Sequence, residues 1–153
     1  MASRKYGDWE QLQSWLTRVQ SKNYLVAFEK DLKMIGDTIA EKVKEHIRTQ
    51  DLKWVPLSPV TVGKKGSSII YIDSGDYLKK IKTKIYPKDD GTDLIVAVIG
   101  RHRSGMSMQE IAVALEYGTS KIPARPLWRP TFAEIKNLPE VKNVVQIGKS
   151  FKF

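Results

Sequence analysis

Apolar residues recur every three or four positions through the first third of the chain. From residue 25 to residue 47 they are separated mainly by lysine, aspartate and glutamate, in the order Leu25, Phe28, Leu32, Ile35, Ile39, Val43 and Ile47. This period predicts one long amphipathic helix over about residues 23–49. A shorter helix is predicted before it, capped by Asp8, because a second set also falls on one face. That set is Trp9, Leu12, Trp15, Leu16 and Val19.

The pattern changes after Asp51, where prolines, glycines and β-branched residues become frequent. Residues 54–59 (Trp-Val-Pro-Leu-Ser-Pro) indicate an extended connection stiffened by proline. Residues 80–85 then alternate lysine with Ile81, Thr83 and Ile85, which is the two-residue period of a half-exposed strand. A turn at residues 88–91 and an apolar run over 94–99 complete a predicted β-hairpin.

The last third carries local signals for two short helices. Ser107 and Glu110 have the spacing of a capping box, which predicts a helix over residues 108–117 that Gly118 ends in the left-handed conformation. A proline-rich segment over 121–130 precedes a second predicted helix over 130–137, which Pro139 stops. The pattern assigns no element to residues 141–153.

These elements and the composition together predict one α+β domain, with the long helix packed on an antiparallel sheet that contains the hairpin. We divide residues 1–153 into an N-terminal helical segment (1–22), a core (23–138) and a C-terminal tail (139–153). The chain has no cysteine, which excludes disulfides and thiolate metal sites. No apolar run is long enough to span a membrane and the start is polar, so we expect the protein to remain in the cytoplasm where it is made.

Motifs that would carry catalysis are incomplete. Residues 148–150 (Gly-Lys-Ser) lack the earlier glycine of a phosphate-binding loop, and Ser107 is better explained as a helix cap than as a nucleophile. Neither His46 nor His102 has a carboxylate at useful spacing. The carboxylate pairs at 73/76 and 89/90 flank glycines, which favours turns over acid–base chemistry. We therefore expect no enzymatic activity, no cofactor and no metal.

The formal charge of +9 is concentrated beyond residue 52. A positive field of this kind attracts nucleic acid, an acidic partner surface or an acidic lumen. The candidate residues for polyanion or lumen contact are Lys64, Lys65, Lys80, Lys82, Lys84, Arg101 and Arg103. The alternative interpretation is that the strand lysines keep the hairpin soluble and prevent unwanted edge pairing. Aromatic residues do not alternate with these lysines, which disfavours a binder that stacks on single-stranded bases.

Three segments, taken in order over about residues 51–133, resemble the tail-completion and head–tail joining family of tailed phages, related to phage virion-morphogenesis proteins. The first is residues 54–61 (Trp-Val-Pro-Leu-Ser-Pro-Val-Thr) followed by a basic 63–66, and the second is 71–78 (Tyr-Ile-Asp-Ser-Gly-Asp-Tyr-Leu). The most specific is 116–132, which reads Glu-Tyr-Gly-Thr-Ser-Lys-Ile-Pro-Ala-Arg-Pro-Leu-Trp-Arg-Pro-Thr-Phe. The sequence departs from the family pattern in its aromatic N-terminal helix, in Trp128 and in its long tail.

The resemblance implies a structural virion protein at the head–tail junction, the neck. Such a subunit forms a homo-oligomeric ring, hexameric or dodecameric, between the head connector and the tail tube, and DNA passes through its lumen. Its partners would be other neck, connector and tail-tube proteins, and assembly would occur in the cytoplasm of the host bacterium. The alternative function is a basic nucleic-acid-binding module.

Ring assembly requires two different faces of each subunit to meet. The proline-rich segment is stiff, and its tryptophan and arginines are residue types enriched in interface hot spots. We therefore predict interface roles for Trp9, Trp15, Tyr117, Arg125, Leu127, Trp128 and Arg129. The alternative is that the 116–130 loop packs over its own core.

Overall fold

The computed structural model describes residues 9–88, 91–139 and 141–142, with side chains described from Val26 onward. Seven elements follow one another along this part of the chain. They are α1 (Trp9–Thr49), α2 (Pro59–Lys65), α3 (Asp76–Lys80), β1 (Ile81–Lys88), β2 (Gly91–Val98), α4 (Met108–Tyr117) and α5 (Trp128–Ile135). The predicted α+β architecture is confirmed: a long helix packs on an antiparallel hairpin, with short helices around it.

Helix α1 confirms the predicted amphipathic face. Ile35, Ile39, Val43 and Ile47 are all buried, and Phe28 and Leu32 pack against the same core. The prediction of a separate shorter helix was wrong, because α1 runs unbroken from Trp9 to Thr49. Residues 20–23 contain no glycine or proline, and serine and asparagine alone do not end a helix. Asp8, the predicted cap, lies outside the described residues.

The hairpin places one face on α1 and leaves the other exposed. Ile81 pairs with Val98, Thr83 with Val96 and Ile85 with Leu94, and these inward residues are buried or half-buried. Lys82 and Lys84 are exposed on the opposite face, as the two-residue period predicts.

Gly36 permits the close approach of α1 to this sheet. A Cβ atom at this position would lie 2.4 Å from Thr83 Cγ2 and 2.7 Å from Leu94 Cδ1. Gly36→Ala is expected to destabilise the protein by about 1–3 kcal/mol through overpacking, despite an intrinsic helix gain of about 1 kcal/mol. Urea unfolding measures the change.

Gly63 supplies the matched control for that substitution. It also lies in a helix, but a Cβ there would meet no atom within 4 Å. Gly63→Ala should therefore be neutral or stabilising by up to about 1 kcal/mol. Equal effects of the two alanines on the unfolding free energy would contradict the close packing of α1 on the hairpin.

The C-terminal helices begin as the local chemistry requires. The capping box is confirmed, since Ser107 accepts from Gln109 N–H and Glu110 accepts from Ser107 N–H. Gly118 has a positive φ of 77° but a ψ of 174°, so it does not adopt the left-handed helical conformation that was predicted. Helix α5 begins at Trp128 and ends at Ile135, two residues earlier at each end than predicted.

Candidate functional site

Glu116, at the end of α4, is a buried carboxylate that holds the start of α5. One of its oxygens accepts from the backbone N–H groups of Leu127 (2.7 Å) and Trp128 (3.0 Å). The other accepts from the backbone N–H of Arg129 (3.0 Å) and from the Arg129 Nε (3.1 Å). Only 4% of the residue is exposed. We call this arrangement the Glu116 clamp.

The clamp accounts for every unpaired backbone donor in the first turn of α5. A helix leaves its first N–H groups without internal partners, and here Glu116 takes those of residues 127, 128 and 129. Pro130 has no N–H to satisfy. Thr131 N–H then donates to the Leu127 carbonyl, the first bond of the helix itself. A carboxylate at a helix N-terminus is also favoured by the helix dipole.

Arg125 ties the loop between α4 and α5 to the connection that follows α1. Its Nε donates to the Val55 carbonyl (2.8 Å) and its Nη2 to the Pro56 carbonyl (3.2 Å). Its backbone N–H donates to the Leu115 carbonyl. The side chain of Arg125 is therefore buried, and two of its donors bond to its own backbone.

An aromatic row lies under the same loop. Trp54 and Tyr71 have ring centroids 5.1 Å apart, and Tyr71 and Tyr77 are 5.0 Å apart. Trp54 Nε1 donates to the Pro126 carbonyl, and Trp128 Nε1 donates to the Tyr77 hydroxyl. Burial raises the pKa of the Tyr71 hydroxyl, which donates to the Arg125 carbonyl. These bonds fix both ends of residues 125–128.

The clamp also sets the charge state of Glu116. Burial alone would raise the pKa of this carboxyl, but the hydrogen bonds from the backbone of residues 127–129 and from the Arg129 side chain outweigh it and lower the pKa. The hydrogen bond from His46 likewise lowers the pKa of Asp51. Both groups favour the ionised form in the folded state.

Acid should therefore weaken the fold through these carboxylates. A depressed folded pKa contributes stability that is present above the unfolded value, 4.5 for glutamate, and is lost as the pH falls through the folded pKa. We expect the difference in unfolding free energy between wild type and Glu116→Gln to be constant near neutral pH and to shrink below 4.5. Urea titrations at several pH values measure it, and a difference that does not change with pH would contradict an ionised clamp.

The predicted interface residues fall into two groups. Arg125 and Leu127 are 5% and 0% exposed, so both side chains pack inside their own chain. Tyr117 and Arg129 are exposed, and the Arg129 guanidinium lies 4.8 Å from the centre of the Tyr117 ring. Trp128 is half-buried. The side chains of Trp9 and Trp15 lie outside the described part of the structure.

Two exposed apolar side chains lie on the same two helices as the second group. Val113 lies one helical turn before Tyr117 on α4, and Phe132 lies 6.5 Å from Trp128 on α5. Val113 and Phe132 are both exposed. We call the patch the α4–α5 surface; its residues are Val113, Tyr117, Trp128, Arg129 and Phe132.

The predicted basic residues do not form a single face. Lys82 and Lys84 project from the outer face of the hairpin, whereas Lys64 and Lys65 lie on α2. The others are engaged locally: Lys80 Nζ donates to the Arg101 carbonyl, and Arg103 pairs with Asp73. The outer face of the hairpin keeps two exposed lysines that form no ion pair with any described residue.

His46 corrects one expectation from the sequence, that this histidine has no carboxylate partner. Its Nδ1 lies 2.7 Å from Asp51 Oδ1, and its Nε2 lies 3.2 Å from Glu134 Oε2. The buried ring thus joins the end of α1 to α5. Glu134 is 88 positions away along the chain, so no local pattern could reveal it. Asp51 is only five positions away and could have been found at the helix end.

Comparisons with known proteins identify no relative of this chain. Among the described residues, no helix is long and apolar enough to cross a membrane. No protein-family model, curated protein or solved structure matches the sequence.

Proposed function

We propose that this chain is a structural subunit of the head–tail junction of a tailed phage, of the tail-completion or neck class. It assembles with copies of itself into a ring, hexameric or dodecameric, that joins the head connector to the tail. It would act by fitting surfaces together, without catalysis or a cofactor. Assembly would take place in the host bacterial cytoplasm and the ring would remain in the virion.

The segment that carries the family resemblance is also the segment that builds the clamp. Glu116 accepts hydrogen bonds from the first N–H groups of α5, and Gly118 has the positive φ with which the chain leaves α4. Arg125 donates to the carbonyls of residues 55 and 56. The motif therefore has a physical purpose: it fixes a short, stiff loop between two helices.

The observation that carries the proposal is the α4–α5 surface, whose backbone the Glu116 clamp holds in place. Tyr117, Trp128 and Arg129 belong to the residue types enriched in interface hot spots. Because the clamp holds the backbone beneath them, they lose little further freedom on binding, which favours association. Such a patch suits one half of a heterologous contact between neighbouring subunits.

Negative-stain microscopy and sedimentation of the purified chain test the proposal directly. We expect a discrete annulus or a closed oligomer, formed alone or when connector or tail-tube protein is added. Particles made without the chain should contain heads and tails that do not join. A chain that stays monomeric with these partners, or normal virions assembled without it, would overturn the proposal.

Lys82 and Lys84, the exposed hairpin lysines without an ion pair to any described residue, favour one alternative, a nucleic-acid-binding module. In that case duplex DNA should bind the isolated chain with an affinity that falls steeply as salt rises. The double variant Lys82→Gln/Lys84→Gln should then weaken binding several-fold and reduce the salt slope by about 2. For a neck subunit, we expect weak DNA binding by the isolated chain and normal ring formation by the same variant.

A further inference from the structure

A cavity of about 280 Å³ lies between α2, α4 and the segment that leads into α3. Much of its wall is apolar, formed by Leu57, Ile70, Met108, Ile111 and Leu115. Nitrogen-bearing side chains from three different parts of the chain complete it: Lys65, His102 and Arg125. The cavity is separate from the α4–α5 surface.

Arg125 is the central feature of this wall. It is 5% exposed, yet it forms no ion pair with any described residue, and its described side-chain bonds are to two backbone carbonyls. A guanidinium has five N–H donors, so others remain to be satisfied. A buried charge without an opposite charge is costly, and an anion placed beside it would relieve that cost.

Lys65 and His102 add donors to the same wall. Burial lowers the pKa of Lys65; Asp73 acts to raise it, and the nearby Arg125 charge lowers it further. His102 lines the same wall, and its Nδ1 lies 2.9 Å from Ser104 Oγ and 3.2 Å from Ser104 N. Two cations and an imidazole ring on one wall form a surface suited to an anion.

The two aspartates of the wall do not cancel this preference. Asp73 pairs with Arg103, and Asp76 Oδ2 lies 3.8 Å from Lys80 Nζ. Each carboxylate thus pairs with a cation other than Lys65 or Arg125. The positive charge of Lys65 and Arg125 remains uncompensated by a direct ion pair among the described residues.

We propose that this cavity binds a small carboxylate with an apolar substituent, its oxygens toward Arg125 and Lys65 and its substituent on the apolar wall. Inorganic phosphate, which has no apolar part, should bind less well. A neutral molecule of the same shape should also bind less well, because it leaves the Arg125 charge without a counterion.

Benzoate is a suitable probe, with benzamide as its neutral isostere and inorganic phosphate as the anion without an apolar part. We expect saturable shifts in the amide NMR spectrum around residues 65, 102 and 125, with a dissociation constant in the millimolar range or below. Lys65→Gln should weaken benzoate binding about tenfold, the usual effect of removing one charge-assisted hydrogen bond. Lys64→Gln is the matched control, since Lys64 is exposed on the same helix and does not line the cavity.

The outcomes are distinct. No saturable binding of benzoate, equal binding of benzamide or phosphate, or equal losses in the two lysine variants would each overturn the proposal.

The carboxylate could belong to a free acid or to an acidic side chain of a neighbouring copy. Sedimentation distinguishes the two sources: an unchanged mass on adding benzoate indicates a free acid, and dissociation of oligomers indicates a neighbour's side chain. If sedimentation shows no ring, the proposed function fails, but the benzoate titration still tests the cavity.

Discussion

Replacing Glu116 with alanine is expected to destabilise the fold by about 3–5 kcal/mol, the largest effect of any single substitution proposed for this chain. The change removes the acceptor for three backbone N–H groups at the start of α5. The Leu127 donor is buried and the other two are partly buried, and a buried donor left without an acceptor carries a desolvation cost. Urea unfolding followed by circular dichroism measures the loss.

Arg129→Ala is the control that isolates the backbone part of the clamp. It removes the side-chain contact with Glu116 but leaves the three backbone bonds, and the Arg129 side chain is 59% exposed. The pair is exposed on the Arg129 side only, and we expect its loss to cost less than the loss of the three backbone bonds. If Arg129→Ala cost as much as Glu116→Ala, the stabilisation would come from the ion pair and the clamp would have no backbone role.

Elements defined by periodicity could be predicted from the sequence. The long helix has six turns of regularly spaced apolar residues, and the hairpin alternates lysine with β-branched residues, so each pattern is repeated enough to be unambiguous. The capping box is also readable, because its two partners are three residues apart. Helices α2 and α3, of seven and five residues, were missed because they contain too few positions to establish a period.

The clamp could not be predicted, although all of its residues lie in the segment that the sequence analysis singled out. Glu116 acts on residues 127–129 across a proline-rich loop that has no period, and only the folded path brings them together. The same lack of period left two interpretations of the loop open, contact with neighbours or packing on its own core. In the structure the side chains of Arg125 and Leu127 are buried, whereas those of Tyr117 and Arg129 are exposed. Each interpretation therefore fits part of the segment.

The basic residues illustrate a second limit. Lysines at alternate positions of one strand necessarily share a face, which is why Lys82 and Lys84 are together. Whether residues 64, 65, 101 and 103 join them depends on how α2 and the 101–106 turn pack, which charge alone does not specify. Arg103 instead meets Asp73, and Lys65 donates to the Ile69 carbonyl and lines the same cavity as Arg125.

Tyr117→Ser is expected to weaken subunit association by roughly 30-fold, which corresponds to about 2 kcal/mol for a hot-spot residue. Tyr117 is 64% exposed, so the substitution should leave the unfolding free energy of the subunit nearly unchanged. It also removes the ring under the Arg129 guanidinium, and that contact is weak at an exposed site. Sedimentation over a range of concentrations measures the shift from oligomer to monomer.

Tyr86→Ser is the matched control for this assembly test. Tyr86 is 44% exposed and lies on β1, which contributes no residue to the α4–α5 surface, so the same chemical change is made outside that surface. Loss of association with Tyr117→Ser alone would support the α4–α5 surface as the contact. Loss with Tyr86→Ser alone would move the contact to the hairpin and would contradict this assignment of the interface. The clamp fixes the backbone beneath Tyr117 whether or not a neighbour is bound. If Tyr117→Ser weakens association but leaves the unfolding free energy unchanged, the role of residues 116–132 in assembly would be separated from their role in stabilising the fold.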